Sequence, residues 1–261
     1  MKPSTVVKLG GSLLENSAMR HSALRAIAAA HEAGENIAVV HGGGKRIDAS
    51  LARLGIPKRT AHGLRVTDTE TLDVVIATLA GSVNKQIVSE LTSFEVPAAG
   101  ISGADGRTLI AGLHPPVDGV DLGHVGRIVA ERPRLLMTLL GSGFLPVIAS
   151  VAAGSDGRLL NVNADTAAAS IAASLGATSL IFLTDVEGLL DGKGELIDSL
   201  TFHQAAELLG DMSVVTGGMR PKLQAALSAI ERGVEHVVIA GPSRHASSLL
   251  EGVGGTHLVA A

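Results

Sequence analysis

The sequence predicts a layered α/β protein built around parallel strands. Short runs of β-branched and aliphatic residues alternate with helical patterns, and several of these runs end in glycines before the next helix begins. Aromatic residues are scarce, with four Phe and no Trp or Tyr among 261 residues, so Ala, Val, Leu and Ile must form the core. Continuous apolar strands of this kind are typical of sheets that are covered on both faces.

The composition excludes several classes of function. Hydrophobic residues make up 46% of the chain, which is enough for one large domain or two lobes. A formal net charge of -4 without a basic cluster argues against nucleic acid or an anionic membrane as the main partner. The chain has no cysteine, so disulfides, thiolate catalysis and Cys-ligated metals are excluded, and a cytoplasmic location is expected.

One uncharged stretch, Thr166–Thr184, has the length of a membrane-spanning helix. It is rich in Ala, Ser and Thr, Gly176 divides it, and Asp165 and Asp185 flank it. We therefore expect a helix, a glycine stop and a buried strand, in a soluble protein.

The first strand-to-helix junction combines glycines with a cation. A β-branched strand from Ser4 ends at Lys8, and Gly10 and Gly11 follow before a helical pattern begins. Glycine backbone N–H groups can approach an anion closely, and ligands of open α/β sheets bind outside the carboxyl ends of the strands. The alternative is an ordinary strand and turn with a surface lysine.

A second junction of the same kind follows within the next residues. A helix is expected from about Met19 to Ala33, then a strand over Asn36–Val40, and then three glycines that end at Gly44 before a helix near Lys45. Helix N-termini attract anions, and neighbouring parallel strands would bring the two junctions together. The spacing matches neither the Gly-x-Gly-x-x-Gly of dinucleotide-binding proteins nor the Gly-Lys-Ser/Thr ending of a P-loop.

An arginine beside a glycine marks the next segment. Arg65 follows Gly63 in a short extended piece, where it is either a forked clamp for a carboxylate or an exposed side chain. Thr67 and Glu70 have the spacing of a capping box and predict a long helix to about Leu91.

The middle of the chain predicts a substrate lid between regular elements. A strand is expected over Val96–Ile101, and the glycine-rich region 103–130 suggests hairpins and loops. A helix over Arg134–Gly143 and a strand over Phe144–Ala149 follow, and the first lobe is expected to end near Arg158.

The most informative polar cluster of the second half is Asn161, Asn163 and Asp165. In extended backbone these alternate residues would share one face, and they end where an Ala-rich helix begins. Asn163 or Asp165 could cap that helix, but capping needs only one of the three residues. The pattern therefore favours a binding site.

The remaining elements repeat the strand-to-helix arrangement. Strands are expected at Ser179–Thr184, His236–Ala240 and Thr256–Val259, and helices near His203–Leu209 and Gly218–Glu231. A third glycine junction precedes the last helix and places Lys222 in its first turn. A cation there opposes the helix dipole, which is unfavourable unless an anion is nearby.

Metal and nucleophile sites are not indicated. None of the ten histidines forms a His-x-x-x-His pair on a helix, so surface or structural roles explain them better, and no protein-ligated metal is expected. There is also no Gly-x-Ser-x-Gly turn for a nucleophilic serine.

Six motifs, taken together and in chain order, resemble those of the amino acid kinase family: Lys8-Leu-Gly-Gly-Ser12, His41-Gly-Gly-Gly44, Gly63-Leu-Arg-Val-Thr67, Asn161-Val-Asn-Ala-Asp165, Thr184-Asp-Val-Glu-Gly188 and Gly217-Gly-Met-Arg-Pro-Lys222. The resemblance covers essentially the whole chain. It implies a three-layer αβα sandwich with a mainly parallel open central sheet. It also implies an N-lobe, residues 1–158, for the amino acid and dimerisation, and a C-lobe, residues 159–261, for ATP.

The resemblance further implies phosphorylation of the γ-carboxylate of N-acetyl-L-glutamate by ATP, with Mg²⁺ held on the phosphates. Lys8 and Lys222 would stabilise the moving phosphoryl group, and Asp165 would hold both ammonium groups in register. The substrate-binding residues would be Gly43, Gly44, Arg65 and Asn161. The phosphate- and ATP-binding residues would be Gly10, Gly11, Asp185, Val186, Glu187, Gly188, Leu189, Leu190, Val214, Val215 and Thr216, with the glycines donating backbone N–H groups.

Two alternatives stay open. One is another kinase of the family, acting on carbamate, aspartate, free glutamate, UMP or an aminoadipate-type acceptor, against which the Arg65 motif counts. The other is a non-catalytic ligand sensor on the same fold, which would usually lack Lys8, Lys222 or Asp165, whereas all three are present.

The resemblance also bears on assembly. Arginine-inhibited members carry an extra N-terminal helix that links dimers into a ring of six, whereas only Met1–Pro3 precede the first strand here. We therefore expect a homodimer that is insensitive to arginine. The helix Thr69–Leu91 would form its interface, because its apolar residues occupy more than one stripe. These residues are Leu72, Val74, Val75, Ile76, Leu79, Val83, Ile87, Val88 and Leu91.

Overall fold

The computed structural model describes residues 4–210, 218–241 and 254–259. The helices are α1 (Gly11–Glu15), α2 (Ser17–Glu32), α3 (Gly44–Leu54), α4 (Thr69–Ile76), α5 (Asn84–Thr92), α6 (Arg134–Gly141), α7 (Ala164–Leu175), α8 (Phe202–Gly210) and α9 (Met219–Glu231). A π-helical segment, Ala77–Val83, joins α4 to α5. The strands are β1 (Ser4–Leu9), β2 (Asn36–His41), β3 (Thr60–Ala61), β4 (Leu64–Arg65), β5 (Ala98–Ser102), β6 (Leu109–Leu113), β7 (Gly126–Glu131), β8 (Leu145–Ala149), β9 (Val151–Ala153), β10 (Leu159–Asn161), β11 (Ser179–Leu183), β12 (Ser199–Thr201), β13 (His236–Ala240) and β14 (Thr256–Val259).

An eight-stranded sheet forms the centre of the protein, in the order β12-β14-β13-β11-β1-β2-β8-β5. Its pairings are parallel except for that of β13 with β14. Helices cover both faces, so the predicted three-layer αβα fold is confirmed. The carboxyl ends of β1, β2 and β11 lie side by side, because Leu9 pairs with both His41 and Leu183.

Strand periodicity decides which helices face each side chain of β1. Val6 packs in the same core cluster as residues of α7 and α9, whereas Val7 and Leu9 pack with residues of α1, α2 and α5. Side chains two residues apart in a strand lie on the same face of a sheet. Lys8 therefore lies on the side of Val6, where α7 and α9 pack.

Two smaller sheets flank this edge. The glycine-rich region forms the β6–β7 hairpin of a four-stranded sheet, β10-β9-β6-β7, and β3 pairs with β4 in a second hairpin. The predicted lobe boundary near Arg158 falls between β9 and β10, which pair in antiparallel fashion. The division into two lobes stays a prediction.

Two helix starts show how the local sequence directs the fold. Asn163 caps α7 and accepts hydrogen bonds from the N–H groups of Asp165 and Thr166. The predicted capping box of the long helix is wrong, because Asp68 rather than Thr67 is the N-cap and accepts from the N–H of Thr71.

The apolar residues of the long helix are already buried within the chain. Seven of the nine residues that predicted an interface are buried, and Ile76 and Val88 are half-buried against the core. The helix therefore has no surplus apolar stripe, and this reason for a dimer interface is wrong.

The uncharged stretch 166–184 forms most of α7, the left-handed Gly176 that ends it, and β11, as the sequence predicts. Within the described ranges, none of the helices combines the length and the hydrophobicity needed to cross a membrane.

Candidate functional site

The first two glycine junctions meet at the carboxyl edge of the sheet. A Cβ atom on Gly11 would lie 3.5 Å from the backbone nitrogen of Gly44. The N–H of Gly10 donates to the carbonyl of Leu183 at 2.9 Å. The expectation that this N–H donates to a phosphoryl group is therefore wrong, because the sheet already uses it.

Gly43 is required by packing rather than by its backbone angles. Its φ of 167° is extended, but a Cβ atom there would lie 2.9 Å from Leu79 Cδ2 and 3.4 Å from Val83 Cγ2. The π-helical segment thus packs directly against the glycine turn.

Three charged side chains converge on the α7 and α9 side of β1. Asp165 Oδ1 accepts from Lys8 Nζ at 2.8 Å and from Lys222 Nζ at 3.1 Å. The side chains of Lys8, Asp165 and Lys222 are only 8%, 10% and 7% exposed. Lys222 Nζ also lies 5.2 Å from the ring centre of Phe182, within the range of a cation–π contact. The sequence named all three charged residues, and the fold brings them onto one oxygen atom.

This cluster carries a net positive charge in a buried place. Burial alone would raise the pKa of Asp165, but attraction to Lys8 and Lys222 outweighs it and holds that pKa below its ordinary value. Burial and the neighbouring charge of Lys8 lower the pKa of Lys222 to about 8, although Asp165 opposes the shift. An anion at this place would relieve the repulsion between the two ammonium groups.

Only one of the two terminal nitrogens of the Arg65 guanidinium group is hydrogen-bonded among the described residues. Its Nη2 donates to Asp48 Oδ1 and to the carbonyl of Gly44, the latter at 3.2 Å. Its Nη1 is buried and has no hydrogen-bond partner among the described residues. A buried donor without a partner is costly, so this atom indicates a place for a ligand oxygen.

Asn161 joins Arg65 through a short hydrogen-bond chain. Asn161 Nδ2 donates to Thr67 Oγ1 at 3.2 Å, and Thr67 Oγ1 donates to the carbonyl of Arg65 at 2.7 Å. The two residues predicted to bind one carboxylate are thus brought together by the fold.

A cavity of about 230 Å³ connects the four predicted substrate-binding residues with three of the other predicted site residues. Its lining includes Lys8, Gly11, Gly43, Gly44, Arg65, Asn161 and Asp165. Gly10 and Lys222 do not line it. A larger cavity of about 600 Å³ shares Gly63, Leu64, Val125, Val162 and Asn163 with it and extends between the hairpins, α7 and α9. We place the chemistry in the smaller cavity, because Lys8 and Asp165 line that one.

The predicted nucleotide-binding segment 185–190 follows β11, next to the first glycine junction. Asp185 is exposed. Slight desolvation would raise its pKa, but hydrogen bonds from its own backbone and from Ser12 and Thr184 outweigh this effect and hold the pKa below its ordinary value. Val186 and Leu190 expose 43% and 49% of their surface, and Glu187 is exposed.

Gly188 and Leu189, in contrast, serve packing within the chain. A Cβ atom on Gly188 would lie 2.6 Å from Leu196 Cδ1. Leu189 is buried in the core, and its N–H donates to Thr256 Oγ1 at 2.8 Å. Val214, Val215 and Thr216 lie outside the described residues.

Asp48 and Ser150 belong to the site but were missed. Asp48 holds Arg65 and also accepts from Lys58 Nζ at 2.8 Å, while Ser150 lines the smaller cavity. Asp48 looks like any polar residue of a surface helix, so no local pattern could have identified it.

The described residues contain no group of three or more His, Asp or Glu side chains that could hold a metal ion. Asp165 is occupied by two ammonium groups, which leaves Asp185 as an acidic residue at the end of β11, beside the first glycine junction. This donor set fits a magnesium ion that is held mainly by phosphate oxygens and water.

Comparisons with known proteins identify the family of this chain. A sequence model of the amino acid kinase family matches residues 3–241. The acetylglutamate kinase of Geobacillus thermodenitrificans is 44% identical over 239 residues, which cover 92% of this chain and 90% of that protein. The acetylglutamate kinase of Aquifex aeolicus is 42% identical over 260 residues, which cover 94% of this chain and 87% of that protein.

Solved structures show the same fold. N-acetylglutamate synthase from Neisseria gonorrhoeae, complexed with coenzyme A and N-acetyl-glutamate, superposes with a TM-score of 0.86 at 26% identity, over 99% of this chain and 60% of that one. Carbamate kinase from Giardia lamblia bound to AMP-PNP has a TM-score of 0.74 at 15% identity, over 99% of both chains, which shows the fold alone.

Proposed function

This chain belongs to the amino acid kinase family, and we propose that it transfers the γ-phosphoryl group of ATP to the γ-carboxylate of N-acetyl-L-glutamate. It is an enzyme of the kinase class, and relatives 41% to 44% identical over most of the chain are named for this activity. The product is an acyl phosphate, formed at an early step of arginine biosynthesis.

The single observation that carries the chemistry is the pair of ammonium groups on Asp165 Oδ1. In the reaction, a carboxylate oxygen attacks the γ-phosphorus while the bond from this phosphorus to the bridging oxygen breaks, which releases ADP. Two anions must be brought into contact, so catalysis depends on positioning and charge stabilisation. Lys8 supplies positive charge at the cavity, and Lys222 supplies it from α9, on the nucleotide side.

No general base is needed, because a carboxylate with an ordinary pKa of about 4 is already ionised at neutral pH. The N–H groups of Gly11, Gly43 and Gly44 face the transferring phosphoryl group. Arg65 and Asn161 hold the α-carboxylate of the acceptor, with Arg65 Nη1 as the donor that is free to bind it.

The nucleotide would lie along segment 185–190, and Val214, Val215 and Thr216, which lie outside the described residues, stay contacts predicted from the sequence. The exposed Val186 and Leu190 would contact its base, and Asp185 would lie near the phosphates. Bound with ATP, Mg²⁺ would supply positive charge to the phosphate oxygens, and Asp185 is the acidic residue that would lie nearest to it.

A coupled ADP-release assay tests this function against its alternatives. The acceptors are N-acetyl-L-glutamate, L-glutamate, L-aspartate, carbamate, UMP and an aminoadipate derivative, each with ATP and Mg²⁺. We expect N-acetyl-L-glutamate to give the highest kcat/KM. A higher value with another acceptor would assign the chain a different reaction within the family, and no ADP release with any acceptor would support a ligand sensor.

Arg65→Lys is expected to weaken binding of N-acetyl-L-glutamate far more than binding of ATP, because an ammonium group does not reproduce a forked guanidinium. Isothermal titration calorimetry with each ligand measures both affinities. Arg53→Lys is the matched control, since Arg53 lies in the last turn of α3 and hydrogen-bonds only Ser50 among the described residues. An unchanged acceptor affinity, or an equal loss for both ligands, would remove Arg65 from the acceptor site.

The lowered pKa of Lys222, about 8, predicts a pH dependence. As pH rises through this value the free enzyme loses the Lys222 proton, so kcat/KM should fall on the alkaline side with a midpoint near this pKa. A bound phosphate favours the ammonium form, so the fall in kcat should occur at higher pH. In Lys222→Arg the side chain stays charged, and the alkaline fall should disappear. An unchanged fall in that variant would assign the titration to another group.

We also propose that the enzyme is a cytoplasmic homodimer with an acceptor-binding lobe up to about residue 158 and an ATP-binding lobe after it. The long helix buries its apolar residues within the chain, so we place the dimer interface on the β6–β7 hairpin instead. Leu113 and Val129 of this hairpin are 52% and 57% exposed. Light scattering of the purified protein measures the mass. A monomer would contradict the proposal.

A further inference from the structure

His41 ends β2 directly before the Gly42–Gly44 turn and is fully buried. Its Nδ1 lies 3.0 Å from the carbonyl oxygen of Gly42, and its Nε2 lies 3.1 Å from Nδ2 of the fully buried Asn84. Neither His41 nor Asn84 lines the smaller cavity. Any effect of this pair on the reaction must therefore pass through the glycine turn.

The surroundings of Asn84 determine where the His41 proton lies. Asn84 Nδ2 is 2.9 Å from the carbonyl of Val147 and 3.2 Å from that of Ile101. Carbonyls only accept, so the atom facing them must be the amide nitrogen, which cannot accept in turn. A proton on Nε2 would face this nitrogen without an acceptor, whereas a proton on Nδ1 can be donated to the carbonyl of Gly42. The ring proton therefore lies on Nδ1, and His41 Nε2 and the two carbonyls share the two hydrogens of Asn84. Burial lowers the pKa of His41 to about 4, so the ring is neutral at neutral pH.

The bond to Gly42 also orients the next N–H group. The Gly42 carbonyl and the Gly43 N–H belong to one trans peptide, so they point in opposite directions. The carbonyl is drawn towards the buried imidazole, and the N–H is turned away from it. Gly43 lines the cavity, and its N–H has no hydrogen bond to another residue that the structure describes.

The π-helical segment connects both halves of this arrangement. It packs Leu79 and Val83 against Gly43, and Asn84 follows it directly. Short π-helical segments within α-helices occur frequently at functional sites. Here the segment packs against the glycine turn, and Asn84, the residue directly after it, hydrogen-bonds His41.

We propose that Asn84 and His41 are positioning residues for phosphoryl transfer. Asn84 keeps the His41 proton on Nδ1, and His41 holds the Gly42–Gly43 peptide so that the Gly43 N–H faces the transferring phosphoryl group. This inference rests on the proposed function. The interaction is needed most in the transition state, so its loss should lower kcat more than it raises KM for ATP.

Two variants test the proposal, because each places an amide group where one of the two ring nitrogens of His41 lies. In His41→Asn the side-chain amide nitrogen takes the place of Nδ1 and can still donate to Gly42, and Asn84 keeps two carbonyl acceptors for its two hydrogens. In His41→Gln the amide takes the place of Nε2, and the bond to Gly42 is lost. We expect kcat to fall roughly 10–100-fold in His41→Gln, which is a smaller fall than that expected when a direct donor to the phosphoryl group is removed. In His41→Asn, kcat should stay within about fivefold of the wild-type value.

Thermal unfolding of both variants separates this effect from simple filling of space. Gln preserves the volume of His better than Asn, so a purely structural role would make His41→Gln the more stable and also the faster enzyme. That order of rates, or equal rates, would overturn the proposal.

Nitrogen-15 NMR of histidine-labelled protein gives a second measurement. It is made on the wild-type protein, so its result does not depend on the stability of a variant. The His41 signals are assigned through their absence in His41→Asn or, if that variant does not fold, through the three-bond coupling across the hydrogen bond from Nδ1 to the carbon-13-labelled carbonyl of Gly42. We expect the Nδ1-protonated neutral ring to persist from about pH 8 to pH 5.5, where an ordinary histidine would become charged. A proton on Nε2, or titration near the ordinary pKa, would overturn the proposal. The rate of the wild-type enzyme with N-acetyl-L-glutamate reports separately on the proposed function.

Discussion

Replacing Lys8 or Lys222 by Ala is expected to lower kcat by roughly 10²–10³, the scale of losing one preorganised electrostatic donor in a water-poor site. Both ammonium groups are buried and share Asp165 Oδ1, so neither can be replaced by the other without moving away from that oxygen. The KM values should change less than kcat, because the developing charge is greatest in the transition state. Steady-state kinetics with N-acetyl-L-glutamate and ATP measure both quantities.

The matched control is Lys193→Ala, which removes an exposed lysine from the turn after segment 185–190. It should leave kcat unchanged. The double variant of Lys8 and Lys222 should lose less than the product of the two single effects, because residues that act as a unit are not additive. If kcat of both single variants stayed within a few-fold of wild type, neither lysine would have the proposed role.

Asp165→Ala is expected to lower the free energy of unfolding by about 3–5 kcal/mol, because it leaves two buried ammonium groups without a counter-ion. Urea unfolding followed by circular dichroism measures this quantity. The control is Asp156→Ala, which removes an exposed ion pair with Arg158 and should change stability little. Equal stabilities of the two variants would show that the buried cluster contributes nothing to the fold.

Asp165→Asn links this cluster to the pH profile. It keeps the shape of the side chain but removes the charge that opposes the lowering of the Lys222 pKa. The alkaline fall in kcat/KM should therefore move to lower pH than in the wild-type enzyme. A shift to higher pH would mean that Asp165 does not stabilise the charged form of Lys222.

The main elements of the central sheet and the charged groups of the candidate site can be recognised from local sequence. Local periodicity and terminal glycines predicted seven of the eight strands of the central sheet, all except β12, and the longer helices. Lys8, Arg65, Asn161, Asp165 and Lys222 could be named because each lies at a junction or cluster that is recognisable from its immediate neighbours in the chain.

The tertiary structure alone decided which atoms meet. Residues 8, 165 and 222 are far apart in the chain, and only the sheet register and the packing of α7 and α9 place Lys8 and Lys222 on one oxygen of Asp165. Packing also assigned the Gly10 N–H to Leu183 and turned the apolar residues of the long helix inward. Hydrogen-bond partners and burial depend on contacts between distant segments, whereas local propensity depends only on neighbouring residues. His41 illustrates this difference between local and long-range information. Its position before three glycines can be read from the sequence, whereas its hydrogen bond with Asn84 can be seen only in the folded chain.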